Sequence, residues 1–134
     1  MTEYFDKQTT GDLIQYRLKR ANETLEEAKY NAAGGYYNTA VNRLYYACFY
    51  AAIALLVVNH YEVSTHKGVK VILNLNFIRT GKLENKYGII YQQLFNYRQS
   101  GDYEDFFICD SELFNELYPK AKEFVEKLTT MVCL

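Results

Sequence analysis

The chain has 134 residues, 49% of them hydrophobic and 23% charged, with a net charge of -1 at neutral pH. This is enough chain for one domain with its own core. The balanced charge excludes a strong global field for nucleic acid or an anionic membrane, although a local basic patch is compatible with it. A single Pro permits long helices, and fourteen Tyr with no Trp is an unusual aromatic load. The three cysteines, Cys48, Cys109 and Cys133, form no CxxC pair. They read as free thiols in a reducing compartment, so a cytoplasmic location is expected.

In chain order, Met1–Gly11 is polar and without an apolar core. A flexible N-terminus (1–11) and no signal peptide are expected there, with one helical domain over 12–134. A first helix is predicted from Asp12, its N-cap, to Ala33. Leu13, Tyr16, Leu18, Ala21, Leu25, Ala28 and Ala32 form its apolar stripe, and Gly34-Gly35 ends it. A second helix is predicted from Tyr36 to Asn59. Its segment Leu44–Val58 is an unbroken apolar and aromatic run of fifteen residues with three tyrosines. That is short of the roughly 20 residues that span a bilayer. The run therefore reads as a buried central helix, or one whose exposed side meets a partner, and no membrane association is expected.

Ser64 and Thr65 are candidate caps for a third helix over His66–Arg79, with Val69, Ile72, Leu73, Leu75 and Phe77 apolar. Thr80-Gly81 breaks it. A fourth helix is predicted over Leu83–Ser100, with Ile89, Ile90, Leu94 and Tyr97 inward and Gly101 as its stop. A fifth runs from Ser111, its cap, to Leu128. Leu113, Phe114, Leu117, Tyr118, Phe124, Val125 and Leu128 are its apolar set, and Pro119 predicts a kink or break near Tyr118. The fold class is all-α, an antiparallel up-and-down bundle of about five helices.

Polar residues set into these apolar helices are the candidate site. Arg43, Tyr46 and Tyr50 share one face of the second helix, with Asn42, Tyr45 and Phe49 beside it. An arginine leading an apolar helix needs an acidic partner, water or a ligand anion. Its fork suits phosphate oxygens, while a salt bridge at the helix end is the plainer reading. Arg98 near the end of the fourth helix suits the helix dipole, and Asp102 four residues on can pair with it. The alternative is that Arg98 faces a groove and binds phosphate. His66 beside Lys67 at a helix start suits an anion as well as a surface role. No HxxxH, ExxH or Cys/His cluster suggests a metal, so no metal or other cofactor is expected.

Four segments also carry a resemblance: Ala40–Ala52, Thr65–Val69, Phe77–Leu83, and Tyr97-Arg98-Gln99-Ser100-Gly101-Asp102-Tyr103. In that order they resemble the second helix, third-helix entry, following turn and "Arg-Gln-x-Ala-Asp-Tyr" segment of HEPN domains (higher eukaryotes and prokaryotes nucleotide-binding). The resemblance implies a helical bundle, often a homodimer, commonly encoded beside a minimal nucleotidyltransferase as a toxin–antitoxin pair. It also implies metal-independent RNase activity in many members, from an Arg followed after four to six residues by a His. Here Tyr103 stands where that His would, and no His follows Arg98. Tyrosine, with a pKa near 10, is a poor base at neutral pH. The resemblance therefore carries phosphate contact to Arg98 but not general-base catalysis to Tyr103. Tyr103 could instead accept a nucleotidyl group from a partner enzyme.

Three functions are thus expected in order. The first is a nucleotide- or RNA-binding module using Arg43, Tyr46, His66, Lys67 and Arg98 with a nucleotidyltransferase partner. The second is a metal-independent RNase toxin using Arg98, Asp102 and Tyr103, with His66 as a possible substitute base. The third is a non-catalytic dimeric helical interaction protein.

Overall fold

The computed structural model describes residues 7–63, 65–103 and 107–133. Among them are five α-helices: α1 (Lys7–Ala33), α2 (Tyr37–Val58), α3 (His66–Leu73), α4 (Asn85–Tyr103) and α5 (Ser111–Val132). A π-helical turn, Asn74–Ile78, extends α3. The architecture is the expected antiparallel all-α bundle.

The turn between α1 and α2 shows how local sequence sets this topology. Gly35 takes φ +83°. The Tyr36 N–H donates to the Asn31 carbonyl at 2.8 Å and the Gly35 N–H to that of Ala32 at 3.0 Å. This pair of bonds caps the helix C-terminus, and the left-handed residue it needs is cheapest as Gly. The end of α2 is built the same way, with the Tyr61 N–H on the Leu56 carbonyl and the His60 N–H on that of Val57. The left-handed residue there is His60, at φ 67°.

Helix α2 packs against α1, α3, α4 and α5. It is long and apolar enough to cross a membrane by length and composition, but it is the central element of the bundle. Leu44, Tyr45, Cys48, Leu55 and Leu56 lie in the main core with Leu73, Phe77, Tyr91, Leu94, Leu117, Phe124 and Leu128 from the surrounding helices. Each such leucine or phenylalanine contributes about 1.5–3 kcal/mol by leaving water.

Several expected boundaries shift. Helix α1 begins at Lys7, so Asp12 lies inside it and is not its cap. Residues 7–11 are helical. Thr65 does cap α3, accepting from the Gly68 N–H at 2.9 Å; Ser64 lies outside the described residues. Helix α4 runs through Gly101 to Tyr103, its last turn bridged by Arg98 and Asp102 at 3.6 Å. Asp110, not Ser111, caps α5 by accepting from the Leu113 N–H at 2.9 Å. A carboxylate there also meets the positive end of the dipole. Pro119 does not break α5. The carbonyl it leaves without a partner, that of Asn115, lies on an exposed residue where water can serve it.

Three residues expected inside are outside: Tyr16, Leu75 and Ile89, at 55%, 46% and 60% exposure. In their place Ile14, Tyr87, Tyr91 and Phe95 fill the core.

Candidate phosphate-binding site

The site lies where the first half of α2 meets the start of α3 and the end of α4. Tyr46 is its hub. The Arg43 guanidinium carbon sits 4.8 Å from the Tyr46 ring centroid and that of Arg98 6.0 Å. The His66 ring meets the same ring edge-on at 5.6 Å. Arg43, His66 and Arg98, far apart in sequence, therefore converge. Cations near an aromatic face are attracted by its quadrupole.

Each cation is further positioned. Arg43 donates to the Asn42 side chain at 2.8 Å and pairs with Glu27 of α1 at 3.7 Å, the acidic partner that an arginine at this helix end calls for. Arg98 is more enclosed, with a side chain 14% exposed. Its guanidinium also lies 5.6 Å from the Tyr45 ring. Burial works against its charge, but Tyr46, Tyr45 and Asp102 outweigh this and keep it firmly cationic. The Arg98–Asp102 separation is too long for a hydrogen bond, and the Arg98 Nε is buried with no acceptor.

His66 opens α3, and its Nδ1 lies 2.8 Å from the Tyr45 hydroxyl. Its ring stacks on Phe49 at 4.3 Å. Burial first, then the Arg98 charge, lower its pKa below the ordinary histidine value, against a smaller opposing pull from Asp102. A lowered pKa favours the neutral imidazole near neutral pH. With Nδ1 engaged by Tyr45, Nε2 is the nitrogen left for a ligand.

Beside this cluster is a cleft of about 200 Å³, lined among others by Asn38, Asn42, Tyr97, Arg98, Asp102 and Phe107. It is smaller than the roughly 300–1,000 Å³ of pockets that enclose a whole small molecule, and matches a phosphate or a single ring.

The other expected site residues are more peripheral. Lys67 is exposed on the first turn of α3. Tyr103 is 78% exposed at the end of α4, so the Arg98–Asp102 pair is assembled but Tyr103 stays at the surface. The sequence reading placed Tyr45, Phe49 and Asn42 on one helix face but did not assign them to the site. Their roles depend on α3 and α1, to which no spacing within α2 points. Among the described residues no group of three His, Cys, Asp or Glu side chains could hold a metal.

Known proteins resemble this chain along most of its length. A UPF0332 protein of Thermotoga maritima is 33% identical over 120 residues, 90% of this chain and 91% of that one. "Putative toxin MJ0605" of Methanocaldococcus jannaschii is 33% identical over 115 residues, 86% and 85% of the two chains. "Putative toxin MJ0142" of the same organism is 29% identical over 114 residues, 85% and 78%. The HEPN domain model matches residues 14–131, and the chain belongs to the HEPN domain family.

Proposed function

We propose that this chain is a nucleotide- or RNA-binding module of a toxin–antitoxin type system. It acts in the cytoplasm as a homodimer with a minimal nucleotidyltransferase partner. The observation that carries the reading is the convergence of Arg43, His66 and Arg98 on the Tyr46 ring. The guanidinium fork of Arg98, which lines the cleft, is suited to a phosphate oxygen. Two relatives bear the word toxin in their names, which supports the system but not the partner. Lys67, exposed beside His66, adds a further cation for the same ligand. Tyr103, exposed at the end of α4, is available to accept a nucleotidyl group from the partner enzyme.

A second reading, a metal-independent RNase, is favoured by one observation. A histidine does stand in the Arg98 cluster, although it comes from α3 and not from the residues after Arg98. With its Nδ1–H donated to the Tyr45 oxygen, neutral His66 would accept on Nε2 the proton of a ribose 2'-hydroxyl as that oxygen attacks phosphorus. The bond from phosphorus to the 5'-oxygen breaks, the leaving oxygen takes a proton from water, and a 2',3'-cyclic phosphate is left. Arg98 would stabilise the charge on the phosphoryl oxygens. The hydroxyl of Tyr103 is not needed as the base.

The test is binding and degradation of RNA by the purified protein in EDTA, for wild type, Arg98→Ala and His66→Gln. Binding by wild type that falls about tenfold in Arg98→Ala, a loss of about 1.4 kcal/mol, supports the binding module. Cleavage abolished by both substitutions supports the RNase. A wild-type protein that neither binds nor cleaves overturns both and leaves a helical interaction protein.

A further inference from the structure

The aromatic surface does not end at Tyr46. One turn further along α2 is Tyr50, its ring 6.2 Å from that of Tyr46. Two guanidinium groups from α1 lie over it, Arg17 at 5.8 Å and Arg20 at 5.6 Å. These two arginines differ in how their charge is met. Arg20 bonds Glu23 at 3.1 Å and Glu27 at 3.2 Å. The Arg17 Nε is buried and has no acceptor, and no carboxylate among the described residues pairs with Arg17.

Arg98 is in a comparable state at the other end of the row. Its Nε is also buried without an acceptor, and Asp102 stands at 3.6 Å. Two incompletely matched guanidinium groups, one from α1 and one from α4, thus flank two adjacent tyrosine rings. Tyr46, Tyr50 and Arg17 are all only half-buried, so a ligand can reach them from solvent. The cleft beside Arg98, at about 200 Å³, has no room for a whole nucleotide. Whatever is joined to a phosphate bound there must continue over the neighbouring surface. Bases stack on aromatic side chains, while cations alongside follow the backbone charge.

We infer that Arg17 and Tyr50 form a second subsite, which takes the next base and phosphate of a single-stranded RNA anchored at Arg98. This rests on the RNA-binding reading and narrows it from a free nucleotide to a polymer. Carboxylates limit the subsite to this one track: Glu27 ties down both Arg20 and Arg43, leaving Arg17 as the α1 cation open to the ligand.

The experiment compares two probes. One is a fluorescein-labelled oligouridylate of about 10 nucleotides, a length within the span of known single-strand sites, read by anisotropy. The other is a uridine dinucleotide, read by NMR titration. The variants are Arg17→Gln, which removes the charge and keeps a polar amide, and Tyr50→Leu, with Arg98→Ala as control and thermal melts to confirm folding. Arg17→Gln is expected to weaken the long probe about tenfold and to flatten its log-affinity against log-salt slope by about 0.7. The dinucleotide, whose one phosphate is taken by Arg98, has none left for Arg17 and should change less than about twofold, against the roughly 1.4 kcal/mol that a tenfold loss represents. Arg98→Ala should weaken both. Wild-type affinity of Arg17→Gln for the long probe would overturn the second subsite while the Arg98 site stands. Failure of wild type to bind either probe would overturn the RNA reading itself.

Discussion

The Tyr45 hydroxyl and the His66 Nδ1 are 2.8 Å apart, joining the core of α2 to the first residue of α3. Tyr45 is fully buried, and burial above all pushes its phenol up to about 12. It is therefore a neutral hydroxyl at physiological pH and holds the imidazole in one orientation. Tyr45→Phe removes this bond and leaves Nδ1 without its partner, at an expected cost of about 0.5–1.5 kcal/mol. Urea unfolding and the His66 ring resonances check this; unchanged stability and unchanged ring shifts would mean that the hydroxyl does not hold the imidazole.

The lowered His66 pKa fixes a pH dependence. An unfolded histidine titrates near 6.5, and the folded one below it, chiefly through burial and Arg98. Between those two values the unfolded chain binds more protons, so stability rises with pH across that window. It is fully present above about pH 6.5, is lost as pH falls towards the folded value, and levels off below. The urea midpoint should drop between about pH 7.5 and about pH 5.5, and His66→Gln should reduce that drop. An equal drop in the variant would place the titration elsewhere.

Asn38 holds the segment before α5 against the start of α2. Its side chain donates to the Phe107 carbonyl at 3.0 Å and accepts from the Cys109 N–H at 2.6 Å. Asn38→Ala breaks both bonds and should cost about 1–3 kcal/mol. Because Asn38 and Phe107 line the cleft beside Arg98, limited proteolysis should also cut faster near Phe107. Unchanged stability and cutting would show that the segment is held by its apolar contacts alone.

His60 occupies a left-handed position at φ 67°, which costs a side-chain-bearing residue roughly 1–2 kcal/mol. His60→Gly should therefore stabilise the protein, by less than that because glycine also gains freedom in the unfolded chain. A thermal melt decides it: a lower midpoint would mean that the imidazole makes a contact worth more than the strain.

Helices were legible in this sequence because apolar periodicity and Gly-rich breaks mark them. Caps and faces were less so. The apolar set of the third helix included Leu75 with Leu73 and Phe77, but Leu75, two residues from each, falls on the opposite side of a 3.6-residue helix and is exposed while the other two are buried. Tyr16 lies two residues from the core residues Ile14 and Leu18, and Ile89 next to the core residue Ile90; one helix alone does not show where its apolar stripe ends. In the site, Arg98 and Asp102 were readable because their contact is local, four residues apart. Tyr45–His66 and Arg43–Glu27 join different helices, and only the packing of α2 against α1 and α3 creates them.

The placement of the Arg43 and Arg98 guanidinium groups over the Tyr46 ring has a consequence for the empty protein. Two like charges this near would drive each other outward if only water stood between them. The Tyr46 ring attracts each of them, and each also has a carboxylate at hand, Glu27 for Arg43 and Asp102 for Arg98. On the phosphate-binding reading proposed above, the two guanidinium groups are held in place beforehand, and binding would not have to freeze two long side chains.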